Sequence, residues 1–139
     1  MRSRPSLPLP YLPVVIGAIV GGLLLVGCGS KEPKAFGLEA TKTCMTAKGV
    51  TVGGDLDFVA STATAGAFVG TFPDGNSATF SFGTAAKDGR QMVDAYERFA
   101  FENVRAGLPD VLKLNRNVAS LWKTHPSDTD LNIFTSCLT

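Results

Sequence analysis

The single histidine, His125, stands beside Ser127, Asp128 and Asp130, the residue types from which a hydrolytic triad is assembled. A triad needs nucleophile, base and orienting acid arranged around a bound carbonyl, ordinarily from separate segments, and side chains this close in sequence do not line up that way. Helix capping accounts for the same residues. Ser127 serves as N-cap, Asp130 fills the acidic slot of a capping box, and both aspartates sit at the positive end of a helix dipole. One histidine with Cys44 and Cys137 gives no zinc-ligand spacing. Asp55 and Asp57 offer calcium-type carboxylates without an EF-hand loop, and turn or cap duty explains them. The 15 glycines form neither GxGxxG nor a Walker loop. No cofactor and no metal are expected, and no catalytic residue is assigned. An acid and a base brought together from facing strands need no local motif, so an enzyme with a dispersed site stays open as an alternative.

What positions these residues begins with an apolar leader. Arg2 and Arg4 precede Pro5, Pro8, Pro10 and Pro13, which forbid a regular helix until the run Val14 to Val26, 13 residues with no polar side chain. That length fits a signal-peptide core; counted from Tyr11 to Gly27 it approaches the shortest spanning helix, and length alone leaves both readings open. Under either, the basic start stays in the cytoplasm and the rest lies outside, since Lys31 and Lys34 are diluted by Glu32 and Glu39. Gly17 and Gly21 form a GxxxG that could pair two uncleaved spans, although small residues are ordinary in signal cores. The proline-rich start has polyproline II character, for which processing is the better account than docking.

Leu25-Val26-Gly27-Cys28 resembles the lipobox of bacterial lipoprotein precursors. The resemblance covers the first 30 residues and implies that the Cys28 thiol receives a diacylglyceryl group and becomes the first residue after cleavage. It gives residues 1–27 as signal peptide or membrane anchor, 28–37 as tether and 38–139 as an extracytoplasmic domain anchored at the cell membrane.

Cysteine arithmetic agrees. Cys28, Cys44 and Cys137 make three, an odd number for an exported chain; with Cys28 lipidated an even pair remains. A Cys44–Cys137 disulfide would close almost the whole domain, a loop worth roughly 4–5 kcal/mol in the chain-entropy model. The alternative is two buried reduced thiols. The whole chain, 139 residues at a net charge of +1, has room for one compact domain. Without residues 1–27 it carries 11 Lys+Arg against 12 Asp+Glu, which gives no field to steer nucleic acid.

Along that domain, Leu38 to Lys48 reads as a helix stopped by Gly49, Val50 to Val52 as a short strand, and Asp57 as cap of a turn through Ala60. Ala67 to Phe72 and Ala78 to Phe82 flank Pro73-Asp74-Gly75-Asn76 and read as a β-hairpin. Asp88 to Ala106 carries the strongest helical periodicity, with Met92, Val93, Tyr96, Phe99, Ala100, Asn103 and Val104 on one arc. Phe101 falls in the charged arc and is a candidate partner contact. Val111 to Leu114 and Val118 to Trp122 form a second hairpin, and Ser127 opens a last helix. The expected fold is α+β, a small antiparallel sheet with helices packed on one face.

Five features carry a second resemblance: Cys44, the stretch Asp55 to Ser61, the Tyr96 helix, Leu121-Trp122 with His125 to Asp128, and Cys137-Leu138. Through them the exported part resembles small uncharacterised membrane-anchored proteins of high-GC Gram-positive bacteria, a likeness that implies no activity. Three functions are then in play. A non-catalytic module binding an envelope protein or other envelope component predicts an exposed apolar patch including Phe101. A dispersed enzyme predicts a deep pocket with convergent polar groups, and a structural spacer predicts neither.

Overall fold

The computed structural model describes Gly29 and residues 31–139. The apolar leader and Cys28 lie outside the described residues, among which no helix is long and apolar enough to cross a membrane. The elements run α1 (Leu38–Ala47), β1 (Thr51–Val52), α2 (Phe58–Ser61), β2 (Ala67–Thr71), β3 (Ser77–Phe82), α3 (Ala86–Phe99), α4 (Glu102–Arg105), α5 (Leu108–Val111), β4 (Leu112–Asn115), β5 (Val118–Trp122) and α6 (Asp128–Ser136). The strands form one antiparallel sheet in the order β1-β2-β3-β5-β4, so the α+β expectation holds.

Both hairpins follow from their turns. Phe72 N donates to Asn76 O and Asp74 Oδ1 accepts from Asn76 N, while Gly75 takes φ +90°, the left-handed conformation that glycine tolerates. This sets the register Thr71 to Ser77 and Phe68 to Phe80. The second hairpin turns on Arg116 and Asn117, Arg116 itself at φ 55°, and pairs Asn115 with Val118.

The helices do not share one face, as the sequence reading expected; they cover both. On one side α1 and α6 lay Met45, Phe134 and Cys137 over Phe68, Phe72, Phe80, Phe82, Val118 and Trp122. The disulfide Cys44–Cys137, with Cα atoms 5.5 Å apart, ties these two helices together. On the other side α3 sets Met92, Val93 and Tyr96 against Ala119 and Leu112, with Val59 and Leu108 beside them. The reason is legible in β5, whose sequence Val-Ala-Ser-Leu-Trp has no polar alternation and is buried on both sides.

Four hydrogen bonds to Asp88 and one close approach at Gly89 hold α3 in place. Asp88 Oδ2 accepts from Thr84 N, Thr84 Oγ1 and Ala85 N at 2.8, 2.9 and 3.0 Å, and from Thr64 Oγ1 at 3.1 Å, fixing the free N–H groups at the helix start. These bonds, the Thr84 side chain first and the Ala85 backbone next, hold the Asp88 carboxyl below its ordinary 3.8. Gly89 lies directly against the Arg116 carbonyl, where a Cβ would collide with it and with Leu114.

The helix read as Asp88 to Ala106 instead ends at Phe99. Ala100 and Phe101 are extended, at φ/ψ −65°/135° and −61°/149°, and α4 is a separate turn. A continuous helix would have driven Asn103 into the apolar core and Phe101 among the charges. The break leaves Asn103 exposed, so its expected place on the buried arc is corrected. Arg105 Nη2 donates to Ala100 O at the break.

The chain enters this fold through Phe36. Its N–H donates to Asn117 Oδ1 at 2.7 Å, and Asn117 Nδ2 donates to Phe36 O and to Gly83 O at 3.0 and 2.8 Å. The Arg116 guanidinium lies 4.2 Å over the Phe36 ring and donates to Lys34 O. Gly37 N donates to the Thr139 carbonyl, so the two ends of the fold meet.

Candidate functional site

The face under α3 is only partly covered, and the uncovered part is an open groove of about 430 Å³. Its walls come from α2, the end of α3, α4, α5 and the end of β5. The Asp57 cap aims Phe58 outward, because Ala60 N donates to Asp57 Oδ1 at 2.9 Å and fixes the turn. The break after Phe99 turns Phe101 and Val104 to the groove's opposite rim. Phe101 is 79 % exposed, Phe58 68 %, Phe99 60 % and Val104 48 %, a run of apolar surface of the kind that marks an interaction site. Phe58 and Phe99 meet edge to face with ring centroids 5.6 Å apart, a favourable aromatic geometry.

At one place on the groove's lining two polar side chains meet. The Tyr96 hydroxyl lies 3.0 Å from Asp57 Oδ1 and 2.9 Å from Oδ2, and donates to this carboxylate. Ser81 Oγ lies 3.5 Å from the same hydroxyl. Burial pushes the Tyr96 phenol up from 10, reinforced by the charge and hydrogen bond of Asp57 and opposed by the Ser81 bond. Tyr96 therefore stays protonated at neutral pH; it orients and donates, and does not serve as a base.

Lys123 stands where the groove adjoins a second hollow of about 300 Å³, with Leu121 and Trp122 lining both. Asp55, Ser77 and Thr79 line this second hollow.

The residues singled out in the sequence separate in space. Phe101 belongs to the groove, and Asp57 joins it through Tyr96, a partner 39 positions away that no local spacing reveals. Cys44 and Cys137 meet each other on the far side of the sheet. His125 and Ser127 line a hollow with Asp74 and Asn76. There Ser127 Oγ accepts from Asp130 N at 3.1 Å, the expected cap, and no hydrogen bond joins His125 to Ser127 among the described residues. The buried Asp130 carboxyl has Oδ2 without a hydrogen bond and sits beside Asp74. Burial and that neighbouring acid push it above its ordinary 3.8, against the Ser127 bonds. Among the described residues no group of three or more His, Cys, Asp or Glu is placed to hold a metal ion. Compared with protein-family models, with curated proteins and with solved structures, the chain matches none.

Proposed function

We propose that this chain is a membrane-tethered extracytoplasmic module that binds an apolar envelope component in the groove between α2, α4 and the end of β5, without doing chemistry on it. One observation carries the reading. Three aromatic side chains and Val104 stand exposed around a concave apolar surface of ligand size, while the other aromatics among the described residues are buried or, for Phe36, partly buried. The lipobox resemblance supplies the tether, with Cys28 as lipid acceptor, and the paired cysteines of the domain fit an oxidising compartment.

Within the folded domain, the groove and the entry of the chain are separate. The tether enters at Phe36 beside Gly83 and Asn117, next to the start of α3, whereas the groove lies at the other end of that helix. From Asp88 to Phe99 is about 16 Å at the rise of an α-helix.

Binding is tested by titrating the oxidised domain with N-phenyl-1-naphthylamine, a neutral probe that fluoresces in apolar sites. Saturable binding, weakened at least tenfold in a Phe58→Ser, Phe101→Ser double variant, is expected. No saturable binding, or binding indifferent to both substitutions, overturns the groove. Intact mass of membrane-extracted protein tests the anchor. A chain starting at Cys28 with added acyl mass is expected; a cytosolic, unprocessed chain with free thiols would overturn the location.

A further inference from the structure

Resting on the groove reading, we infer that the ligand is a cationic amphiphile, an apolar body carrying an ammonium group that docks on Asp57. The Asp57 carboxylate lines the groove, half-buried, and makes no ion pair among the described residues. Its hydrogen bonds leave acceptor capacity unused. Oδ1 accepts from Ala60 N, and the single Tyr96 proton, within reach of both oxygens, satisfies one at a time. Oδ2 thus keeps a free lone-pair direction. A carboxylate beside apolar walls is hydrated poorly, and a positively charged head is the group that gains most from meeting it.

The surrounding rings favour the same charge. Phe58, adjacent in sequence, and Phe99 stand edge to face beside Asp57, with Tyr96 below and Phe101 on the rim. Aromatic faces present negative charge, and rings combined with a carboxylate are the recurring receptor for alkylammonium groups. An anionic head would meet Asp57 as a like charge and a neutral one would forgo the ion pair. The basic side chain along the groove, Lys123, lies at the end shared with the second hollow, which Asp55 also lines. The apolar tail then follows Val104, Leu108, Val111 and Leu121.

The test uses one chain length and three heads, decylammonium, decanol and decanoate, each titrated below its aggregation limit by calorimetry and by displacement of N-phenyl-1-naphthylamine. Decylammonium is expected to bind at least tenfold more tightly than either of the others. Asp57→Asn retains an oxygen acceptor for Ala60 N and should bring the ratio close to one. Tyr96→Phe, which keeps the charge and removes the hydroxyl bonded to the carboxylate, should preserve the preference. Phe58→Leu, which keeps the apolar wall and removes the ring, should reduce it severalfold. Equal binding of the three heads, or a preference that survives Asp57→Asn, overturns the cationic assignment while leaving the groove intact. Failure of all three ligands and of the naphthylamine overturns the groove and this inference together.

Discussion

The two faces of the sheet share their strands and differ in how they are finished. Under α1 and α6, the Phe80 and Phe134 rings pack tilted with centroids 4.6 Å apart, Phe72 meets Trp122 at 4.9 Å, and the disulfide locks the covering helices. Under α3 the cover stops at Phe99, and the next aromatic, Phe101, faces solvent. Aromatic residues thus do opposite work on the two sides. Those of the first face hold the fold together; on the second, Tyr96 is buried while Phe58, Phe99 and Phe101 are available to something else. A small domain can leave one face open because the other is closed so firmly.

The most severe way to break this comparison is to hollow the closed face. Phe80→Ala is expected to cost about 3–5 kcal/mol in denaturant unfolding, the range for truncating a fully buried phenylalanine. Phe101→Ala should stay within about 0.5 kcal/mol, as an exposed substitution does. Equal losses would mean that the open face is part of the core after all.

Next in size is the bridge. Replacing Cys44 and Cys137 together by serine, or reducing the wild type, should lower stability by about 2–5 kcal/mol, read as a shift in denaturant midpoint. The cysteines lie 93 positions apart, which places this at the upper end of what loop closure gives.

A position belonging to neither face comes third. Asn117→Ala strands the Phe36 N–H and two carbonyls, a loss of about 1–3 kcal/mol. Amide exchange at Phe36 should accelerate while α3 and α6 remain protected.

The smallest effects sharpen the comparison by sign. On the open side, the fold favours ionised Asp88, lowered below 3.8 by its hydrogen bonds. Its contribution is full above that ordinary value and is lost as pH falls through the lowered one. On the closed side, the fold favours protonated Asp130, raised by burial and Asp74. Its contribution is full below 3.8 and is lost as pH rises through the raised value. Stability measured against pH should therefore lose its acid-side decline in Asp88→Asn and its decline on the rising side in Asp130→Asn. Identical profiles for the two variants would refute the assignment.

Local chemistry made much of this fold legible. The Pro-Asp-Gly-Asn turn, the Asn-Arg-Asn turn and the Ser127 cap each specify geometry within a few residues, and each appears where its sequence places it. The Cys44–Cys137 pairing followed from parity. What escaped depends on packing. The second layer of helices was encoded in β5, whose unbroken burial requires cover on both sides, but periodicity alone does not separate such a strand from a half-exposed one. The helix break at Ala100 was foreshadowed by two misplaced side chains, Phe101 among charges and Asn103 among apolar groups. Read together, these argued for ending the helix. The Tyr96–Asp57 pair left no such mark, because a bond across 39 positions depends on where α2 and α3 dock.

The sewn ends of this fold also bear on its survival among peptidases. Degradation that works along the chain needs slack, and here the Cys44–Cys137 bridge closes a loop spanning 93 positions. Fraying inward from Phe36 reaches a covalent stop at Cys44 after eight residues. A protease drawing in the oxidised chain meets a cross-linked loop at Cys44 or Cys137, so passage through the domain needs an internal cut or prior opening of the bridge.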